Sequence, residues 1–132
     1  MKRSRMIFVS GLVQEKLKQI TPGDILSLFM KFKIDFFFLT SLNPYHYGTL
    51  ATHGKTWVVV IRKRTSQEEN WKTMLHEIFH LFLFDQGIDN PDIEQEFSDS
   101  ITEKSTDIFM KKYPSFAKNL WQYVHERPKF HL

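Results

Sequence analysis

The 132-residue chain contains no cysteine. That excludes a disulfide framework and a thiolate metal site, so any metal must be held by His, Asp or Glu. Glycine and proline are scarce, five of each, and nowhere gather into a linker or low-complexity tract. No internal repeat divides the chain either. No apolar run approaches the roughly 20 residues that span a bilayer, and Phe36-Phe37-Phe38-Leu39 is far too brief. The basic start and the short run Met6-Ile7-Phe8-Val9-Ser10-Gly11-Leu12-Val13 lead into Gln14-Glu15-Lys16 without a small-residue cleavage site. A soluble, cytoplasmic protein without membrane association is therefore expected. Charge of one sign is lacking too: 18 Lys and Arg face 15 Asp and Glu, for a net charge of +3. The basic runs Lys2-Arg3-Ser4-Arg5 and Arg62-Lys63-Arg64 read as solvated charge at element ends, and direct nucleic-acid binding is not expected.

Bulky apolar side chains are plentiful. Hydrophobic residues make up 42% of the chain, with 13 Phe and 3 Trp. A chain of this length with that composition builds one packed core, so residues 1–132 are expected to form a single domain, with 1–20 as a peripheral helix. A further helix is expected after Thr21, which can cap it with Pro22 in the first turn, and Ile25, Leu28, Phe29 and Phe32 then share a face. Residues 34–42 read as a buried strand. Residues 47–52 and 56–62 read as a hairpin around His53-Gly54-Lys55. Ser66-x-x-Glu69 has the form of a capping box for a helix reaching about residue 84, with Gly87 able to close it. Residues 93–112 and 115–126 supply two more helices, with Phe97, Ile101, Ile108 and Phe109 turned inward on the first and Phe116, Leu120, Trp121 and Val124 on the second. The expected class is α+β, a small antiparallel or mixed sheet packed with several helices.

Chemistry concentrates in His76-Glu77-Ile78-Phe79-His80. Residues four apart on a helix lie one turn up on the same side, so both imidazoles can reach one ion. Glu77, rotated roughly 100° from His76, can meet a metal-activated water without being a ligand. Zinc lowers the pKa of bound water to about 7, and Glu77 could then take its proton and pass it to a leaving amine. The flanks Met74-Leu75 and Leu81-Phe82-Leu83-Phe84 are apolar, so the motif is buried, and a metal accounts for the cost of burying it. Core histidines bonded to backbone carbonyls are the plain alternative. A catalytic zinc needs a third protein ligand. The next helix offers Glu94, Glu96, Asp99, Glu103 and Asp107, and spacing does not choose among them. Tyr45, His46, Tyr47 and His53 are candidates to stabilise an oxyanion, though a loop or surface role is the simpler reading. His125 and His131 are expected to be solvated.

With Glu103-Lys104-Ser105-Thr106-Asp107-Ile108-Phe109-Met110 downstream of the zinc helix, the sequence resembles the ImmA/IrrE-type zinc metallo-endopeptidases, a gluzincin-like group. These pair His-Glu-x-x-His with a helix bearing Glu-x-x-Ala-Asp/Asn-x-Phe-Ala. The resemblance extends back to about Asp24 and implies a minimal zincin-like domain. It also implies His76 and His80 as ligands of one Zn2+, Glu77 as catalytic acid/base, Glu103 as third ligand and Asp107 behind it. Thr106 and Met110 stand where the family usually has alanine, and Phe79 where glycine commonly precedes the second His. Family members cleave or inactivate helix-turn-helix repressors of phages and mobile elements, which implies a protein regulator as substrate. The alternative is a non-catalytic zinc-containing antagonist that occupies a repressor or toxin. Trp57, Val58, Val59 and Val60 are expected to form an edge strand that accepts an extended substrate.

Overall fold

The computed structural model describes residues 19–40, 47–87 and 95–126, with the side chains of 95–101 excepted. The expectations for the N-terminal helix, the basic run near residue 3, Tyr45, His46, Glu94 and His131 lie outside the described residues. So do those for the side chains of Glu96, Phe97, Asp99 and Ile101.

Helix α1 (Pro22–Lys31) starts where its sequence says it should. The Thr21 side chain accepts from the Asp24 amide, and the Asp24 carboxylate accepts in return from the Thr21 amide at 2.9 Å. With Pro22 in the first turn, the donors exposed at the helix start are largely met. Ile25 and Leu28 are buried. Phe29 stacks on Phe36 of the next element, centroids 5.8 Å apart.

Strand β1 (Lys33–Leu39) alternates buried Ile34 and Phe36 with more exposed neighbours. The chain then reaches β2 (Gly48–His53) and turns back as β3 (Thr56–Arg62). Gly54 has a φ of 64°, and it is followed by a residue of negative φ. A positive φ at the first turn residue alone is the mark of a tight hairpin that only glycine enters without strain. The sheet is mixed, in the order β1-β3-β2, with β1 parallel and β2 antiparallel to β3.

Helix α2 (Gln67–Asp85) lies in the middle of the molecule. Ser66 caps it by accepting from the Glu69 amide, but Glu69 does not complete the box; its carboxylate pairs with Arg64 at 3.0 Å. Gln86 is the C-cap and Gly87, at φ 71°, ends the helix as expected. Met74, Leu75, Ile78, Phe79, Leu81 and Leu83 are all buried, so apolar side chains surround this helix on nearly every side.

Helix α3 (Gln95–Lys112) and helix α4 (Pro114–Glu126) complete the fold. α4 buries Leu120, Trp121 and Val124 as its spacing predicts, with Ala117 beside them, and Phe116 packs at the margin. On α3 the inward face differs from the expected one. Phe109 is buried, but Ile108 is only half-buried, and the places beside Phe109 are taken by Thr102, Ser105 and Thr106. Small side chains let α3 approach α2 closely. The Thr106 hydroxyl donates to the Thr102 carbonyl at 2.7 Å, so its burial costs little. No helix among the described residues is long and apolar enough to cross a membrane.

Candidate metal centre

The two histidines of α2 converge. Their Nε2 atoms are 3.1 Å apart and their ring centroids 4.7 Å, with the rings inclined at 67°. Two nitrogens bound to one tetrahedral zinc at about 2.0–2.1 Å are roughly 3.3–3.4 Å from each other. The pair is therefore within a few tenths of an ångström of the spacing a shared ion requires, and neutral imidazole is a donor type that zinc accepts. His80 is 6% exposed and Glu77, which follows His76 on the helix, 8%, so the carboxylate is held in a largely dry setting.

Gly48, the first residue of β2, covers Glu77 from the sheet side. A Cβ placed on it would lie 2.9 Å from Glu77 Oε1 and 2.8 Å from Thr73 Cγ2. The backbone of β2 thus runs directly against the helix at Glu77 and one turn before it. The Thr73 hydroxyl accepts from Arg64 Nη2 at 2.8 Å and donates to the Glu69 carbonyl at 3.0 Å. Arg64 also lies over the Tyr47 ring at 4.0 Å, and its backbone N–H and C=O are both met by the buried Asn70 side chain. Arg64 is therefore a half-buried tie between sheet and helix, not the solvated charge expected from its basic run. The sequence does carry a signal for Gly48: an isolated glycine in a strand pattern marks a close backbone approach.

Glu103 and Asp107 share the face of α3 that looks toward α2, but each meets Lys72, one turn before His76. Lys72 Nζ is 3.0 Å from Asp107 Oδ1 and 3.5 Å from Glu103 Oε1. The hydrogen bond to Asp107 raises the lysine above its ordinary pKa, against the opposing effect of burial, and Glu103 adds to the rise. The Glu103 side chain is 62% exposed. Among the described residues no three His, Asp or Glu gather around one point. His76 and His80 are brought together, Glu77 follows His76 on the helix with its carboxylate toward Gly48, and Glu103 and Asp107 lie one turn away on a lysine.

Other expectations fare differently. β3 is not an edge strand. Trp57 faces Ile34 on one side and Thr52 on the other, and Val59 faces Phe36 and Leu50. Successive residues of a strand send their N–H and C=O to alternate sides, so a strand paired on both sides has no main-chain groups left for a substrate. Val59 is fully buried, and Trp57 packs between Phe32 and Phe84, at 6.3 and 5.2 Å. The outer strand beside the helix is β2, whose free side no described strand pairs. His53 sits at the far end of β2, five residues from Gly48 and so roughly 16 Å from it, which removes it from the centre. His125 is not solvated: it stacks on Phe38 at 3.8 Å, with Nδ1 2.9 Å from the Trp121 carbonyl oxygen.

The fold is of the α+β class, a three-stranded mixed sheet beside a buried helix that carries two convergent histidines and a carboxylate. The chain belongs to the Peptidase_M78 family, whose model, an IrrE N-terminal-like domain, matches residues 29–118. The match covers more than half of the chain and takes in the whole of the sheet and α2, bearing out the resemblance read from its motifs. No curated protein and no solved structure matches it. Membership of a peptidase family supports a metallopeptidase-type function acting on protein.

Proposed function

We propose that the protein is a cytoplasmic zinc-dependent endopeptidase, a single domain over residues 1–132, that hydrolyses a peptide bond in a protein regulator such as a helix-turn-helix repressor of a phage or mobile element. The observation that carries this reading is the 3.1 Å approach of the His76 and His80 Nε2 atoms beside a nearly buried Glu77. In the reading His76 and His80 hold one Zn2+, and Glu103 is the third ligand. A surface ion pair is worth at most about 1 kcal/mol, so the Lys72 bridge does not bar Glu103 from that role. When bound, the metal supplies Lewis acidity to the scissile carbonyl and acidifies the attacking water. Glu77 then takes the water proton, holds it in a site that excludes bulk solvent, and returns it to the leaving amine. The free side of β2, which starts at Glu77, is the natural place for an extended substrate to pair.

A second reading, a zinc-containing antagonist that works by occupying a repressor or toxin, draws on one observation: Glu103 and Asp107 both lie on Lys72. The two readings separate on new N-termini. Wild type and Glu77→Gln, each loaded with zinc, are incubated with lysate and new N-terminal peptides are identified by mass spectrometry. The peptidase reading expects chelator-sensitive termini with wild type, reduced by about a hundredfold or more in Glu77→Gln, since general acid–base groups contribute about 10²–10⁴-fold. Equal sets from the two proteins would refute it. A biological effect that survives Glu77→Gln would favour the antagonist.

A further inference from the structure

Glu77 is a flexible side chain on one turn of a helix, and something must fix where its carboxylate points. The surroundings described above supply two fixed surfaces. One is the Gly48 backbone, so close that a single added carbon would meet Glu77 Oε1 at 2.9 Å and its Cγ at 3.0 Å. The other is Thr73, one turn earlier on the same face. Its hydroxyl is bound on both sides, by Arg64 Nη2 and by the Glu69 carbonyl, so its methyl cannot swing away from Gly48. Gly48 itself is held in register by pairing with Ile61 of β3.

We propose that Gly48 and Thr73 form a seat that sets the Glu77 carboxylate, which makes both of them positioning residues for the reaction. The inference rests on the reading of Glu77 as acid/base. It also assigns Arg64 a place, since Arg64 locks the Thr73 rotamer from the sheet side. The two contacts of Gly48 respond differently to an added methyl. The Thr73 methyl cannot yield, so stability suffers. The Glu77 oxygen is the end of a flexible chain and yields cheaply, so the carboxylate moves and chemistry suffers.

The test uses Gly48→Ala, Thr73→Ser, Glu77→Ala and the two double variants containing Gly48→Ala. Thr73→Ser removes the methyl and keeps the hydroxyl. By thermal melting of the full chain, Gly48→Ala is expected to lower Tm by about 4–10 °C, the range that overpacking brings in a domain of this size. In the Thr73→Ser background the fall should be less than half of that, whereas in the Glu77→Ala background it should change little, because the Glu77 oxygen yields cheaply. Bound zinc per chain should not change in Gly48→Ala. With dye-quenched casein as probe, Gly48→Ala in the Thr73→Ser background should lower kcat about tenfold or more while KM stays within about threefold, because a displacement of about 1 Å costs up to 10²-fold. Additive Tm effects of Gly48→Ala and Thr73→Ser would overturn the seat. Coupled Tm effects with an unchanged kcat would overturn its role in positioning. A wild type inert toward casein but coupled in Tm would count against the peptidase reading and uphold the seat, so the two fail on separate evidence.

Discussion

Phe79 lies between Glu77 and His80 in the His-Glu-x-x-His motif, immediately before the second histidine. It is fully buried and meets Phe109 of α3 edge-on, centroids 5.4 Å apart and rings at 90°. Phe109 in turn packs on Tyr113 and Phe116, so this contact ties α2 to α3 and to the start of α4. Truncating a buried Phe to Ala removes its transfer free energy and leaves a cavity, together about 3–5 kcal/mol. At about 2.1 cal/mol/K of unfolding entropy per residue, a chain of this length loses roughly 3.6 °C of Tm per kcal/mol, so Phe79→Ala should melt about 11–18 °C below wild type. Differential scanning calorimetry measures this directly. Phe109→Ala should fall by a similar amount, and the double variant by about 0.5–1.5 kcal/mol less than the sum, the worth of an edge-to-face pair. A fall below about 4 °C for Phe79→Ala would mean that the side chain does not fill the space between the helices, and the packing argument would be wrong.

Three further outcomes follow from contacts around the site. Asn70→Ala should cost about 2–4 kcal/mol in chemical denaturation, because it leaves two Arg64 backbone groups without the partners that meet them at 2.7 and 2.9 Å; a cost under about 0.5 kcal/mol would deny that Arg64 ties sheet to helix. Ser66→Ala should cost about 1 kcal/mol and Ser66→Asp almost nothing, read from the same denaturation curves, and equal losses would show that the cap does not set the start of α2. Lys72→Met should lose no more than about 1 kcal/mol of stability. Because pairing raises the lysine above 10.5, that contribution is whole below 10.5 and fades as pH rises through the raised value. A gap between wild type and variant that widens at alkaline pH would contradict the pairing.

Much of the fold and of the site is legible in the amino-acid sequence. The motif helix announces itself through Ser66, the apolar flanks of His76 to His80, and Gly87. The α1 start is written in Thr21-Pro22, and Pro114 opens α4 after α3 has closed. What escapes the sequence is set by contacts distant along the chain. The run Trp57-Val58-Val59-Val60-Ile61 has the continuous apolar character of a central strand. That it takes β1 on one side and β2 on the other depends on pairing across more than twenty residues. Arg64 reads as surface charge because nothing in its own neighbourhood names Asn70, Thr73 and Tyr47 as its partners. The acidic face of α3 is visible as a spacing pattern, but the lysine that meets Glu103 and Asp107 belongs to α2, and helical periodicity on one element says nothing of the next. Hydrophobicity alone places Ile108 inside; close helix contact favours Thr102, Ser105 and Thr106 in its stead.

The most direct test of the central claim is the metal content of the purified chain, measured by mass spectrometry of elements on wild type, His80→Ala and Glu103→Ala at equal protein concentration. One zinc per chain in wild type, absent from His80→Ala and from Glu103→Ala, is the predicted result. Zinc lost from His80→Ala but retained in Glu103→Ala would move the third ligand to Asp107, Asp99 or Glu96. A wild type that holds no zinc under saturating supply, or a His80→Ala variant that holds as much, would contradict the claim that these two imidazoles share an ion.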